Sequence, residues 1–284
     1  ESNEKQTEIK FLVYPTITNY VLGCKDAGTE VNPYLIYKIE DLVRLAQKVN
    51  TGMTFLNKYI KIKNNIDFKV SSDYYNNRDT SFGNLNANSS DGNEILTEMT
   101  TGTGFMGIGR NETNSFKGIF LGNGKIISNI YINNTINDLR MSLFTCVKNA
   151  RIQDLTITGE YTVGGDSAGL VGTLYGINTI TNCHNRVTIT NKNAGFCVAG
   201  LLSTLENGTE TIVTGCSNLA DITNVSATGG LVGLILDSVK LNISNCYNTG
   251  NIISTETSTS GGKYTWTATG GLVAKDSKTK TEII

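Results

Sequence analysis

Apolar residues recur along this chain in short alternating runs, and the runs fall into two interleaved series. The first series comprises Ile127-x-x-Ile130-x-Ile132, Ile152-x-x-Leu155-x-Ile157, Ile180-x-x-Cys183-x-Asn185, Val213-x-x-Cys216-x-Asn218 and Ile243-x-x-Cys246-x-Asn248. The second comprises Ala168-Gly169-Leu170-Val171-Gly172, Ala199-Gly200-Leu201-Leu202, Gly229-Gly230-Leu231-Val232-Gly233 and Thr269-Gly270-Gly271-Leu272-Val273-Ala274, with Ser142-Leu143-Phe144 as a degenerate first copy. Each series returns after about 30 residues, so one period holds at least two strands and two turns. A unit of that size cannot bury its own apolar face. Stacking solves the problem, because a coil that returns to its start can pair each strand with its equivalent in the next coil at about 4.8 Å.

The pattern therefore predicts an all-β fold, a single-stranded parallel β-helix or solenoid. A propeller is the competing architecture, but its blades need four antiparallel strands with clear hairpin turns. The single Trp and scarce Asn-Gly pairs of this chain fit that poorly. Leucine-rich repeats would require a denser leucine pattern.

In the stacked arrangement Ile130, Leu155, Cys183, Cys216 and Cys246 are expected in one inward row, with the cysteines acting as small hydrophobes. Asn185, Asn218 and Asn248, two residues further on, are expected in a turn of positive φ with their amides stacked on one another. The glycines before each leucine are expected to turn tight corners. Equivalent side chains on in-register parallel strands stay near the strand spacing, beyond the Cβ separation of about 3.8 Å that disulfides favour. The three cysteines of the row are therefore expected as reduced, buried thiols.

Residues 39 to 50 show a different period. Ile39, Leu42, Leu45, Ala46 and Val49 make a helical stripe, with Asn50-Thr51-Gly52 as its stop. A helix there would cap the open end of the solenoid and protect its first edge from pairing with another molecule. The chain thus divides into an N-terminal segment, 1–38, and a parallel β-helix, 39–284, that includes the capping helix 39–50. Strands are expected at Tyr59 to Ile62 and Ile66 to Phe68. A long insertion spans about 70–115, polar and aperiodic except for Phe105-Met106-Gly107-Ile108-Gly109.

Composition narrows the function. With 24 basic against 25 acidic residues and no long charged block, nothing builds the positive stripe that nucleic acid requires. Thirty Gly and two Pro suit many short strands joined by turns. No apolar stretch approaches the roughly 20 residues needed to span a bilayer. The polar start, Glu1 to Gln6, reads as a mature or trimmed chain without a signal peptide. The last repeat is followed by only Lys275 to Ile284, with no recognisable closing cap, so that either the chain continues in the full protein or another element shields the last coil.

Several segments also carry a family resemblance. Gly28-Thr29-Glu30-x-Asn32-Pro33-Tyr34-x-Ile36, then Glu40-Asp41-Leu42 and Val49-Asn50-x-Gly52, resemble the opening of repetitive surface proteins of Bacteroides-like bacteria. Phe105-x-x-Ile108-Gly109 and Phe116-Lys117-Gly118-Ile119-Phe120-x-Gly122-Asn123-Gly124-x-x-Ile127 resemble their first coils. The Gly-Leu-Val repeats resemble the GLUG motif, found in adhesin-like proteins and upstream of the protease domain of some IgA-cleaving metallopeptidases. Together the matches cover roughly residues 28 to 275. The resemblance implies a cell-surface or secreted location, with the full-length protein anchored at the outer membrane as a lipoprotein, and a binding or spacer role.

The chemistry in the sequence is sparse. Polysaccharide lyases of this shape need clustered acidic calcium ligands and a basic residue, and glycosidases need paired carboxylates facing one cleft. Asp154, Asp166, Asp221 and Asp237 lie at different phases of the repeat and are not expected to converge. The single histidine, His184, is expected on the outer surface, pointing away from Cys183. One histidine cannot supply an H-E-x-x-H zinc site. No catalytic residue, metal site or cofactor is assigned; the calcium-like run Asn88 to Glu94 and the turn Gly122-Asn123-Gly124 read as polar loops.

Binding residues are sought where the repeat breaks. Asp73, Tyr74, Tyr75 and Arg78 in the insertion, and Tyr264 and Trp266 in the longer last repeat, offer aromatics that can stack on a sugar or peptide beside polar groups that fix its orientation. The same aromatics could instead pack their loops against the coils. The expected role is that of a surface adhesin or scaffold taking a glycan or a host extracellular protein through loops, without catalysis. A polysaccharide-degrading enzyme is the alternative.

Overall fold

A computed structural model describes residues 27–69, 104–136, 139–194, 196–255, 268–276 and 280–283. They form a parallel β-helix, with one α-helix, Ile39–Asn50, among the described residues. The main path of the longest sheet stacks Tyr34–Ile36, Tyr59–Ile62, Ile119–Asn134, Arg151–Val163, Ile177–Asn191, Glu210–Thr214, Lys240–Ser244 and Lys280–Ile283. A second sheet stacks Phe144–Lys148, Val171–Tyr175, Leu202–Leu205, Val232–Ile235 and Val273–Asp276. The third is narrow and built of small residues, Ser167–Ala168, Val198–Ala199, Thr228–Gly229 and Thr269–Gly270. Successive strands pair in parallel, each with its equivalent one coil away.

Parallel stacking turns the repeat into continuous rows. Ile60, Phe120, Ile152, Ile180, Val213 and Ile243 are partners in successive coils, and all are buried. Phe144, Val171, Leu202 and Val232 make the matching row of the second sheet. Ser142-Leu143-Phe144 is thus a true copy of the Gly-Leu-Val unit. An isolated bridge from Ile108 to Phe144 extends that row one coil earlier. The N-terminal end of the core is filled by aromatics, with the ring of Phe144 centred 5.3 Å from that of Phe116 and 5.1 Å from that of Phe120.

The helix occupies the predicted residues. Its face of Ile39, Leu42, Leu45, Ala46 and Val49 joins the same buried cluster as Ile60, Ile62 and Ile66. Glu40 and Asp41 in its first turn suit the positive end of the helix dipole. The Asp41 carboxylate also reaches back to accept from the Tyr37 backbone N–H at 3.0 Å. At the other end the buried Asn50 side chain donates to the Gly107 carbonyl (3.1 Å) and accepts from the Gly109 N–H (2.7 Å), tying the helix to the first coils.

Four expectations need correction. Ile130 is not in the Leu155 row: two irregularities, between Leu121 and Lys125 and between Ile127 and Ile130, shift the register, so that Lys125 faces Leu155 and Ile130 faces Gly159. Asn185, Asn218 and Asn248 do not carry the positive φ. That role falls three residues earlier, on Asp154 (φ 56°), Asn182 (50°), Gly215 (66°) and Asn245 (53°), which kink each coil within the long sheet. The glycines before the leucines are not needed for positive φ either; they make room for the asparagines. A Cβ on Gly169 would lie 2.5 Å from Asn185 Cγ and one on Gly230 2.7 Å from Asn248 Cγ, too close for any side chain. Finally, Cys183 and Cys216 are buried but Cys246 is partly exposed, because it lies nearer the C-terminal coils.

The amide stack itself is present. Asn185 Nδ2 donates to Asn218 Oδ1 and Asn218 Nδ2 to Asn248 Oδ1, each at 2.7 Å. Each amide also bonds the backbone two residues on, as Asn185 does with the Val187 N–H (3.0 Å) and carbonyl (3.3 Å). The two sequence motifs are therefore in contact across the coil, the amide of one filling the space left by the glycine of the other.

Candidate functional site

The six residues singled out for binding, Asp73, Tyr74, Tyr75, Arg78, Tyr264 and Trp266, lie outside the described residues. Three other places on the coils gather functional groups.

The first surrounds His184. Its Nδ1 is 2.9 Å from Ser217 Oγ and its Nε2 is 3.1 Å from Asn182 Oδ1, while Asn182 Nδ2 donates to Asp154 Oδ1 at 2.9 Å. The stacked coils thus align a hydroxyl, an imidazole, an amide and a carboxylate, because Thr156, His184 and Ser217 are register partners on the outer face. A serine nucleophile beside a histidine base has these parts. Ser217, however, has 0% exposure, so no substrate carbonyl reaches its oxygen in this conformation. Burial, followed by the nearby Arg186 charge, lowers the His184 pKa and favours the neutral ring. Cys183 points into the core, as alternation requires.

The second place is the outer face of the second sheet. Arg140 lies 3.6 Å from Asp166 and 3.4 Å from Glu206, and donates to Thr173 Oγ1 at 3.1 Å. Burial opposes its charge, but Asp166 and Glu206 outweigh that and raise its pKa. Asp166 is expected apart from Asp154, Asp221 and Asp237, but stacking brings Glu206 to the same guanidinium, where both carboxylates serve an ion-pair network that spans several coils. Beneath it, burial pushes the Cys146 thiol up to about 12. Beside Arg140 a 60 Å³ cavity also touches Arg110, Asn134 and Thr145, too small for an organic ligand.

The third is a depression of about 240 Å³ on the long sheet, lined by Lys69, Asn129, Ile130, Tyr131, Gly159 and Glu160. Its shape comes from the register shift between Ile127 and Ile130. An extra residue in one strand bends the backbone and re-aims side chains, and such bulges concentrate near functional sites. Asn129 sits at φ 56°, a conformation that asparagine tolerates. Its Nδ2 donates to Asp67 Oδ1 at 2.7 Å and its backbone N–H to Thr158 Oγ1 at 3.2 Å. The Asn129 amide is the largest influence holding the Asp67 carboxyl below its ordinary pKa, against slight desolvation. Gly159, at φ 153°, packs against Ile130 so closely that a Cβ would collide with the Ile130 carbonyl oxygen. Tyr131 and Glu160 are direct register partners. The Tyr131 carbonyl accepts from the Phe105 N–H at 2.8 Å, where the chain rejoins the coil.

Apart from Ile130, expected in the inward row, the depression residues carry no motif that marks them in the sequence. The available signal was the asparagine and glycine pair that breaks alternation, Asn129 in one coil and Gly159 in the next. Among the described residues no group of three or more His, Cys, Asp or Glu is placed to hold a metal ion. No helix among them is long and apolar enough to cross a membrane.

No family model and no curated protein matches the chain. Among solved structures it is similar to a protein described as a "putative immunoglobulin A1 protease" from Bacteroides ovatus, at 13% identity and a TM-score of 0.38, covering 88% of this chain and 86% of that one.

Proposed function

We propose that this chain is a non-catalytic, adhesin-like scaffold of the bacterial cell surface that binds a glycan or a host extracellular protein at features interrupting an otherwise regular solenoid. The observation that carries this reading is the depression at the strand irregularity, where an aromatic ring, an amide, a carboxylate and an ammonium group line one recess of a rigid sheet. A few polar groups around an aromatic surface are what a small polar ligand needs for orientation and contact. The surface location rests on the resemblance of the repeats to GLUG-type proteins. A polysaccharide-degrading enzyme would instead need an exposed pair of acidic groups or an accessible nucleophile. The acids around Arg140 are engaged in ion pairs and Ser217 is covered.

An array of glycans and extracellular-matrix proteins probed with the purified chain tests the proposal. Retention on at least one class is expected, saturable and unaffected by chelators. A blank array at micromolar protein would sink it.

A further inference from the structure

We infer that the depression formed by Lys69, Asn129, Tyr131, Gly159 and Glu160 is a subsite for one neutral pyranose ring carrying vicinal hydroxyls. This deepens the proposed binding role and rests on it. Size is the first argument. Pockets for drug-sized ligands measure about 300–1,000 Å³, so a recess of about 240 Å³ fits a single sugar ring in place of an extended chain.

Chemistry is the second. Tyr131 offers a ring that can cover the C–H face of a pyranose while its polar edge stays wet. Glu160 is exposed and lies beside Tyr131 as its register partner. A carboxylate with two acceptor oxygens can take the hydroxyl protons of two neighbouring carbons, and charged acceptors make the stronger hydrogen bonds. Lys69 brings ammonium donors to the same recess. Acceptor and donor together match hydroxyl groups, which do both.

Preorganisation is the third. Asn129 is held at both its side chain and its backbone, by Asp67 and Thr158. Asp67 is itself fixed by the Lys69 N–H, which donates to Oδ1 at 2.9 Å. Gly159 lets its strand lie directly against the Ile130 backbone, where any Cβ would collide. A site that is already ordered loses less on binding. The nearby Asp67 and Glu160 carboxylates disfavour a uronic acid, so the ligand class is neutral.

The test uses the full chain with the methyl glycosides of glucose, galactose and mannose, followed by amide chemical shifts. Saturable shifts at Asn129, Tyr131 and Gly159 with at least one glycoside are expected, with a millimolar dissociation constant. Methyl glucuronide should bind at least about tenfold more weakly. Tyr131→Ala and the surface change Glu160→Gln should each weaken binding by about tenfold or more, with thermal midpoints unchanged for Glu160→Gln. Absence of shifts at these residues with all three glycosides overturns the subsite. So does wild-type affinity in both variants. If both variants are also retained on the glycan array like the wild type, binding occurs elsewhere; the subsite falls and the broader surface-binding role stands.

Discussion

Replacing Asn218 with Ala should destabilise the solenoid more than any conservative change of a surface residue, and the reason can be counted. Asn218 has 0% exposure and makes four hydrogen bonds. It accepts from Asn185 Nδ2 (2.7 Å) and the Ala220 N–H (3.4 Å), and donates to Asn248 Oδ1 (2.7 Å) and the Ala220 carbonyl (2.9 Å). At about 1 kcal/mol net for each bond, and with partners left buried, the loss is about 3–5 kcal/mol. For a chain of this length that lowers the thermal midpoint by about 6–10 °C. Gly200→Ala acts on the same contact from the other side. Its φ is not in the left-handed region, but the new Cβ collides with Asn218 Cγ and with the Gly230 carbonyl. Overpacking of this kind costs about 1–3 kcal/mol.

The two changes share a partner, so they should not add. Removing the Asn218 amide relieves half of the Gly200→Ala clash, and the double variant should be about 1 kcal/mol more stable than the sum of the singles. Because repeat arrays unfold with limited cooperativity, midpoints of thermal unfolding by circular dichroism should be read together with amide exchange at Val187 and Ala220. A midpoint for Asn218→Ala within about 1 °C of wild type would refute the reasoning. Strict additivity of the pair would refute the claim that glycine and asparagine motifs meet.

Two further outcomes follow from the same coils. Hydrogen bonding to Cys183, together with burial, pushes the Cys216 thiol up to about 12, and burial does the same for Cys146; both should resist Ellman's reagent at pH 8 in the native protein and react fully in guanidinium without reductant. A thiol count that rises by two after reduction, mapped to the Cys183, Cys216 and Cys246 row, would show a covalent ladder instead, whereas Cys216→Ala should cost about 1–2 kcal/mol through lost packing. The His184 pKa is lowered in the folded chain, so the unfolded chain binds its proton first as pH falls. The contribution of His184 is therefore full above its unfolded value of about 6.5 and is lost as pH drops through the folded value. The thermal midpoint should fall between pH 7 and pH 5, and His184→Gln should flatten that slope; an unchanged slope in the variant would refute the assignment to His184, because a carboxylate such as Asp67, held below its ordinary pKa, loses its contribution only at lower pH.

The repeat period, the parallel stacking and the capping helix were legible in the sequence because each is set by where apolar residues fall. Register in the first coils was not. Two extra-residue irregularities in Ile119–Asn134 move Ile130 from the Leu155 row to Gly159, and nothing in the spacing of isoleucines marks them. The corner column was visible in retrospect as the Asp, Asn or Gly immediately preceding Leu155, Cys183, Cys216 and Cys246. Positive φ is expected on the later asparagines because asparagine tolerates it, yet the asparagine at those positions serves the amide stack. The depression was invisible for a different reason. Lys69, Asn129, Tyr131 and Glu160 are dispersed along the chain, and only the register of neighbouring coils brings them together.

The central claim is binding without turnover, and the most direct measurement counts new chain ends on whichever polysaccharides the array retains. Incubated for days with stoichiometric protein at neutral pH, those polysaccharides should keep their length, with neither reducing ends nor unsaturated products above the level of buffer, while the protein remains bound. Product that rises with time and with protein concentration, and disappears on removing one acidic or nucleophilic side chain, would contradict the account and make this solenoid an enzyme.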